Sequence, residues 1–267
     1  MLDVIFGQAT DAGNRANNED AMGSFLPQSR QAARARGWMF AVADGVGGLD
    51  LGEVAAEKAV QAVCAGFAQA PEGASLPSLM PRLIQQANAA VHDERLQPQR
   101  RGKPMATTLV ACALRYDQAY VAHVGDSRCY LVRGGQAAAV TRDHTLVSEQ
   151  RKLGLLSEAE AAASESRHIL TRSLGPELFV SADASAFSLR PGDILVLCTD
   201  GLHAALRNDD MARIVTQNKP LDMVARELVA RAIEVDGSDN ASAQVILVRS
   251  TEEMAMYRGR LYPRSGA

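Results

Sequence analysis

Four aspartates in this sequence stand where an apolar run meets a glycine or an amide. Asp44 follows "MFAVA" and precedes Gly45, and Asp200 follows "ILVLCT" and precedes Gly201. Asp126 follows "YVAHVG", and Asp239 lies in "GSDN", just ahead of the run "ASAQVILV". Any one of them alone reads as a turn. As a set at strand ends, they put four carboxylates on the rim of a buried sheet. Like charges in such a poorly hydrated cleft are either protonated or neutralised by cations. An all-oxygen set with no converging His or Cys suits a hard divalent ion, Mg2+ or Mn2+. Glycine next to the acid lets a backbone carbonyl approach that ion with no Cβ in the way.

A further acidic group occupies "TDAGNRANNED", where Arg15 precedes Glu19 and Asp20. Alone, the segment reads as a polar loop. Beside a cation site it gains chemistry, because a guanidinium grips phosphate through two parallel hydrogen bonds and acids can hold metal-bound water. Cation-binding acids plus one arginine are what phosphoryl transfer to water requires.

These residues need strands to place them. Strand-like runs cover Val4–Ala9, Trp38–Ala43, Thr108–Leu114, Ala119–Val124, Cys129–Val132, Ala182–Phe187, Ile194–Cys198 and Ala243–Val248. Helical stripes run through Val60, Cys64 and Phe67, through Leu79, Leu83, Ala87 and Val91, and through Val224, Leu228, Ala232 and Val235. The short connections "RYDQ", "VGDSR" and "RGGQ" read as hairpins. Antiparallel sheets covered by helices are therefore expected, not a series of βαβ crossovers. Gly47 and Gly48 are assigned to the turn that leads into a helix starting near Leu51.

The chain has 267 residues, 47% of them apolar but only 4% aromatic, so its core is expected to be Ala, Val and Leu. A net charge of −3 with no basic block argues against nucleic acid as a partner. The start lacks the basic and apolar regions of a signal peptide, and no run approaches the roughly 20 apolar residues of a membrane span. Cys64, Cys112, Cys129 and Cys198 stand singly and read as reduced core thiols. A cytoplasmic protein with no membrane partner is expected.

The stretches "TDAGNRANNED", "VADGVGGLDLGE", "MATTLVAC", "AHVGDSRCYLVR", "TRDHT", "LTRSLG", "GDILVLCTDGL" and "GSDNAS", in this order, resemble the metal-dependent serine/threonine protein phosphatases of the type-2C class, particularly the bacterial members. The resemblance implies an α+β fold, a four-layer α/β/β/α sandwich with two central antiparallel sheets. It implies one phosphatase domain over residues 1–250, with a flap at about 143–173, and a loosely docked tail at 251–267 containing Arg258, Arg260 and Arg264. It further implies two Mn2+ or Mg2+ ions, with Asp44 bridging, the Gly45 carbonyl on one ion, and Asp200 and Asp239 on the other. Glu19 and Asp20 orient metal-bound water, Arg15 holds the substrate phosphate, Asp126 serves a third ion, and Asn240 braces Asp239. The implied reaction is direct in-line attack by water, without a covalent enzyme intermediate. The implied substrates are phosphoserine and phosphothreonine proteins, opposite a cognate Ser/Thr kinase, and the chain is expected to be a monomer.

The sequence departs from the family in three places. Val46 stands where many eukaryotic members carry a His proposed as general acid. The closing motif is "DNAS", in which Ser242 keeps a hydroxyl. The flap lead-in "SESRHILTRSLG" is atypical and bears on substrate choice. His144 is assigned a structural hydrogen-bonding role and His123 a place in a strand, while His92, His168 and His203 are assigned to the surface or the flap. Two other readings stay open: a catalytically silent relative that acts as a sensor, and a phosphatase for one dedicated regulator or a small phosphometabolite. The presence of all the principal acids and Arg15 argues against the silent relative.

Overall fold

The structure, a computed structural model, describes residues 1–46, 51–100, 102–257 and 260–263. Gly47, Gly48, Arg258 and Arg264 lie outside the described residues. In chain order the first half comprises β1 (Asp3–Asp11), β2 (Asp20–Phe25), α1 (Arg30–Ala35), β3 (Trp38–Asp44), α2 (Gly52–Gln69) and α3 (Leu76–Arg95). Next come β4 (Leu109–Arg115), β5 (Gln118–Val124), β6 (Arg128–Arg133), β7 (Gln136–Ala139), α4 (Leu146–Lys152) and α5 (Glu158–Ala163). The chain continues through β8 (Asp183–Ser188), β9 (Ile194–Cys198), α6 (Asp200–His203), α7 (Asn208–Val215), α8 (Leu221–Val235), β10 (Ala241–Ser250), β11 (Met254–Tyr257) and β12 (Arg260–Pro263).

Ten of these strands form two antiparallel sheets, ordered β1-β10-β9-β6-β7 and β2-β3-β4-β5-β8. Alternate residues of the central strands serve two different cores, which explains why the strands read as unbroken apolar runs. On β3, Met39, Ala41 and Ala43 pack under α2 and α3, while Phe40 and Val42 enter the layer between the sheets. On β9, Val196 and Cys198 pack under α7 and α8, while Leu195 and Leu197 face the other sheet. Helices cover both outer faces, so the α/β/β/α sandwich is as expected. Fully burying each Val or Leu in these layers contributes about 1.5–3 kcal/mol.

Three local features differ from the sequence reading. "RYDQ" and "RGGQ" are hairpins, but "VGDSR" is not, because β5 and β6 belong to different sheets. That connection instead crosses between the layers and carries Asp126 into the gap. The edge strands β2 and β7 went unread because their residues are half-buried or exposed and lack β-branched character. The tail carries the hairpin β11–β12, and Glu252 just before it is hydrogen-bonded to Arg34 of α1.

Strand direction then gathers the acids. Asp20 opens β2 directly opposite Asp44 at the end of β3. β9 ends at Cys198 opposite Ala243 near the start of β10, so Asp200 and Asp239 flank the matching end of the other sheet. The β5–β6 crossing closes the gap between them.

Candidate metal centre

Asp44 is fixed through its backbone. Its N–H donates to Thr108 Oγ1 at 3.0 Å, and its carbonyl accepts from Thr107 Oγ1 at 2.7 Å and from the Thr108 N–H at 2.9 Å. Thr108 Oγ1 in turn shares a 2.6 Å hydrogen bond with Ser127 Oγ, next to Asp126. A buried chain of hydroxyls thus links the β3 terminus to the sheet crossing. Gly45 and Gly201 serve close approaches. A Cβ on Gly45 would lie 2.4 Å from the Gly52 carbonyl carbon, and one on Gly201 would lie 2.2 Å from the Asn240 carbonyl oxygen.

Asn240 holds the loop that bears Arg15 and Glu19. Its Nδ2 donates to the carbonyls of Ala12 and Asn17 at 2.9 and 3.0 Å, and its Oδ1 accepts from the Glu19 N–H at 2.8 Å. Its own N–H donates to Asp239 Oδ1 at 2.9 Å. One buried amide therefore braces Asp239 and the Arg15–Glu19 loop together.

The electrostatics show five aspartates in one field. Burial, then the charges of Asp20, Asp200, Asp126 and Asp239, push Asp44 well above the usual carboxylate range. Burial raises Asp20 to about 7 against hydroxyls from Ser242 and Thr199, the latter 2.9 Å from its Oδ2. Burial, with Asp200 and Asp143 nearby, takes Asp126 to about 7 as well. Asp239 is raised by burial and Asp200, and Glu19 by burial, with Glu53 and Asp239 adding to it. Asp200 goes the other way: burial opposes its charge, yet His168, His203 and a hydrogen bond with Asp44 hold it below the ordinary value.

Arg15 stands at the mouth but is engaged. Its Nη2 donates to Asp239 Oδ2 at 2.9 Å, and its Nε to the Ser238 carbonyl at 2.9 Å.

His168 is exposed, as expected, yet reaches an acid of the site, whereas His203 departs from its surface assignment. His168 Nδ1 lies 3.6 Å from Asp200 Oδ2. His203, one turn into α6, meets the Asp126 carbonyl with Nε2 at 2.9 Å, so it belongs to the site and not to the outer surface. His144 has the structural role expected of it: its Nδ1 accepts from the Gly125 N–H at 3.2 Å, and it stacks on His123 at 4.7 Å.

Comparison with known proteins decides the family. The Protein phosphatase 2C family profile matches residues 10–233. The chain belongs to the protein phosphatase 2C family. As a member it is a metal-dependent serine/threonine phosphatase, a hydrolase of phosphoric monoesters. Protein phosphatase PhpP of Streptococcus pneumoniae is 33% identical over 92% of this chain and 97% of that protein. Serine/threonine phosphatase stp of Listeria innocua is 31% identical over 94% and 96%. The solved serine/threonine phosphatase of S. agalactiae superposes with a TM-score of 0.82 at 32% identity, covering 92% of this chain and all of that one. The catalytic domain of PstP, solved with two manganese ions, gives 0.77 at 28% identity over 93% and 99%.

The residues of this phosphatase fit such ions. Asp20 Oδ1 is buried without a hydrogen-bond partner, amid carboxylates whose mutual repulsion the nearby arginines and histidines relieve only in part. Among the described residues, no three His, Cys, Asp or Glu side chains form a ready-made cage. A hard cation that keeps much of its water shell needs only one or two carboxylates and a carbonyl. Glu53, Thr108, Ser127, Thr199, His168 and His203 escaped the sequence reading. Thr199 and Glu53 lie beside motif residues, whereas nothing in one sequence ties His168 to Asp200.

Proposed function

We propose that this phosphatase hydrolyses phosphoserine and phosphothreonine in proteins, opposite a Ser/Thr kinase, as a monomeric cytoplasmic domain spanning residues 1–250 with a flap at 143–173. The observation that carries this reading is the buried, unpartnered Oδ1 of Asp20 inside a ring of mutually repelling aspartates. Asp44, the Gly45 carbonyl, Asp200 and Asp239 would hold two Mn2+ or Mg2+ ions, and Asp126 would serve a third. When bound, these ions neutralise phosphoryl charge and make water nucleophilic at neutral pH.

The chain's own residues do the rest. Asp20 and Glu19 accept hydrogen bonds from the attacking water and fix its direction. Thr199 holds Asp20 Oδ2, which leaves Oδ1 free for that task. Arg15, half-exposed at the mouth of the site and paired with Asp239, would bind the substrate phosphate through its guanidinium. Val46 carries no proton, so that position does not protonate the leaving alkoxide.

The test is hydrolysis of a phosphothreonine peptide with Mn2+ titrated into chelator-treated protein. The expected result is saturable activity that EDTA removes. No hydrolysis at saturating Mn2+ sinks the reading.

A further inference from the structure

Beside the metal centre lies a cleft of about 510 Å³ between the flap, the β6–β7 edge and α6. Its inner wall includes Asp126 and Asp200, so it opens onto the reacting phosphate, and its volume suits a few peptide side chains. Its outer lining is cationic, with Arg142, Arg151 and Arg167.

Of the acids that could neutralise this lining, Asp126 and Asp200 belong to the acidic cluster of the candidate metal centre, and Asp143 is taken up by Arg128 through hydrogen bonds of 2.8 and 2.6 Å. That leaves Glu158 on the cleft wall and Glu149 close by. The nearest approach of Arg142 to Glu149 is 3.9 Å and that of Arg151 to Glu158 is 4.0 Å, both beyond hydrogen-bonding distance. Both arginines are half-exposed, and such loose pairs hold little energy. A ligand carboxylate that makes true hydrogen bonds therefore displaces them readily. Arg167 is tied inward: its Nε donates to His168 Nε2 at 2.7 Å, and His168 reaches Asp200. An anion on Arg167 thus sits one side chain from the reacting centre.

Building on the phosphatase reading, we propose that this cleft selects substrates carrying carboxylate side chains beside the phosphorylated residue, with Arg142, Arg151 and Arg167 as the residues that determine specificity. The ordinary alternative is a solvated face with no influence on substrate choice.

The two separate in a comparison of phosphothreonine peptides of equal length, flanked by Glu, Ala or Lys, with the Mn2+-loaded enzyme. The expected kcat/KM for the Glu peptide exceeds that for the Lys peptide by about tenfold or more at low salt, and the gap narrows as salt screens it. In Arg142→Gln/Arg151→Gln the ratio falls to about threefold or less. In Arg213→Gln/Arg226→Gln, on the exposed side of α7 and α8, the ratio is kept, which excludes a bulk-charge effect. Equal kcat/KM for all three peptides, or a ratio unchanged in the Arg142/Arg151 variant, overturns the proposal. p-Nitrophenyl phosphate, which has no flanking residues, tests the underlying reading separately. If it is hydrolysed and the ratio is flat, only the cleft assignment falls; if it is not hydrolysed, both fall.

Discussion

Asp126 and Asp143 line the same cleft, both largely withdrawn from water, yet they titrate in opposite directions. Burial and neighbouring acids carry Asp126 up to about 7. Burial pushes Asp143 the same way, but Arg128 more than offsets it and holds Asp143 below the usual carboxylate value. The difference lies in who supplies the counterion. Asp143 has a guanidinium of its own fold in bidentate contact, as Asp193 has from Arg133 at 2.7 and 2.6 Å. Among the described residues, no arginine or lysine makes such a contact with Asp20, Asp44 or Asp126. A buried acid with an internal partner is structure, and a cluster without one is a binding site for positive charge.

The contrast breaks first under mutation. Asp44→Asn is expected to lower phosphatase activity by about three orders of magnitude or more, with the metal-free melting temperature unchanged or raised, because a repelling charge is removed. Asp143→Asn is expected to destabilise the protein by about 3 kcal/mol, since Arg128 is left mostly buried without its acid. Activity assays paired with thermal melts check both. A large melting loss in Asp44→Asn would place that residue with the structural pairs.

Titration separates the two classes more finely. Asp20 and Asp126 have folded values near 7, above the unfolded value near 3.8, so the proton they retain stabilises the metal-free fold at acid pH. That stability is lost as pH rises from about 4 through 7. Asp143 has the opposite sign, because its folded value is lowered and its contribution disappears as pH falls below about 4. Metal-free protein is therefore expected to lose stability between pH 5 and 8, about 2–3 kcal/mol from each of the two acids, recovered by Mn2+. Melts across pH with and without Mn2+ measure this, and a flat metal-free profile counts against the rim assignment.

The smallest effect sharpens the geometry. Thr108→Val keeps the shape but removes the hydroxyl between Asp44 and Ser127, and is expected to weaken Mn2+ binding about tenfold, while Thr108→Ser preserves it. Calorimetric titration of both variants decides this, and unchanged affinity in the valine variant removes Thr108 from the support of the site.

How much of this was legible in the sequence follows the same physics. Strand-end aspartates beside glycine or an amide are a local signal, so Asp44, Asp126, Asp200 and Asp239 could be read directly, with Arg15, Glu19 and Asp20 as a neighbouring cluster, and the family's motif order added their roles and Asn240. The sandwich was legible because its central strands are apolar on both faces. The edge strands β2 and β7 were not, since partial exposure leaves their composition ambiguous. His203 was misplaced because its burial comes from α6 folding back on the sheet crossing, a contact far apart in sequence. The engagement of Arg15 by Asp239 could not be read either, for it depends on loops at opposite ends of the chain.

The central claim is that divalent cations supply the charge the rim lacks. It is tested most directly by titrating Mn2+ into metal-free protein at pH 7 in buffers of different ionisation enthalpy. Asp20 and Asp126, both raised to about 7, and Asp44, raised well above the usual range, must give up protons as the ions bind, so a buffer-dependent enthalpy equivalent to about one proton or more is expected. The release should shrink as pH rises from 7 to about 9. Tight Mn2+ binding with no proton release at pH 7, or no binding at all, would contradict it.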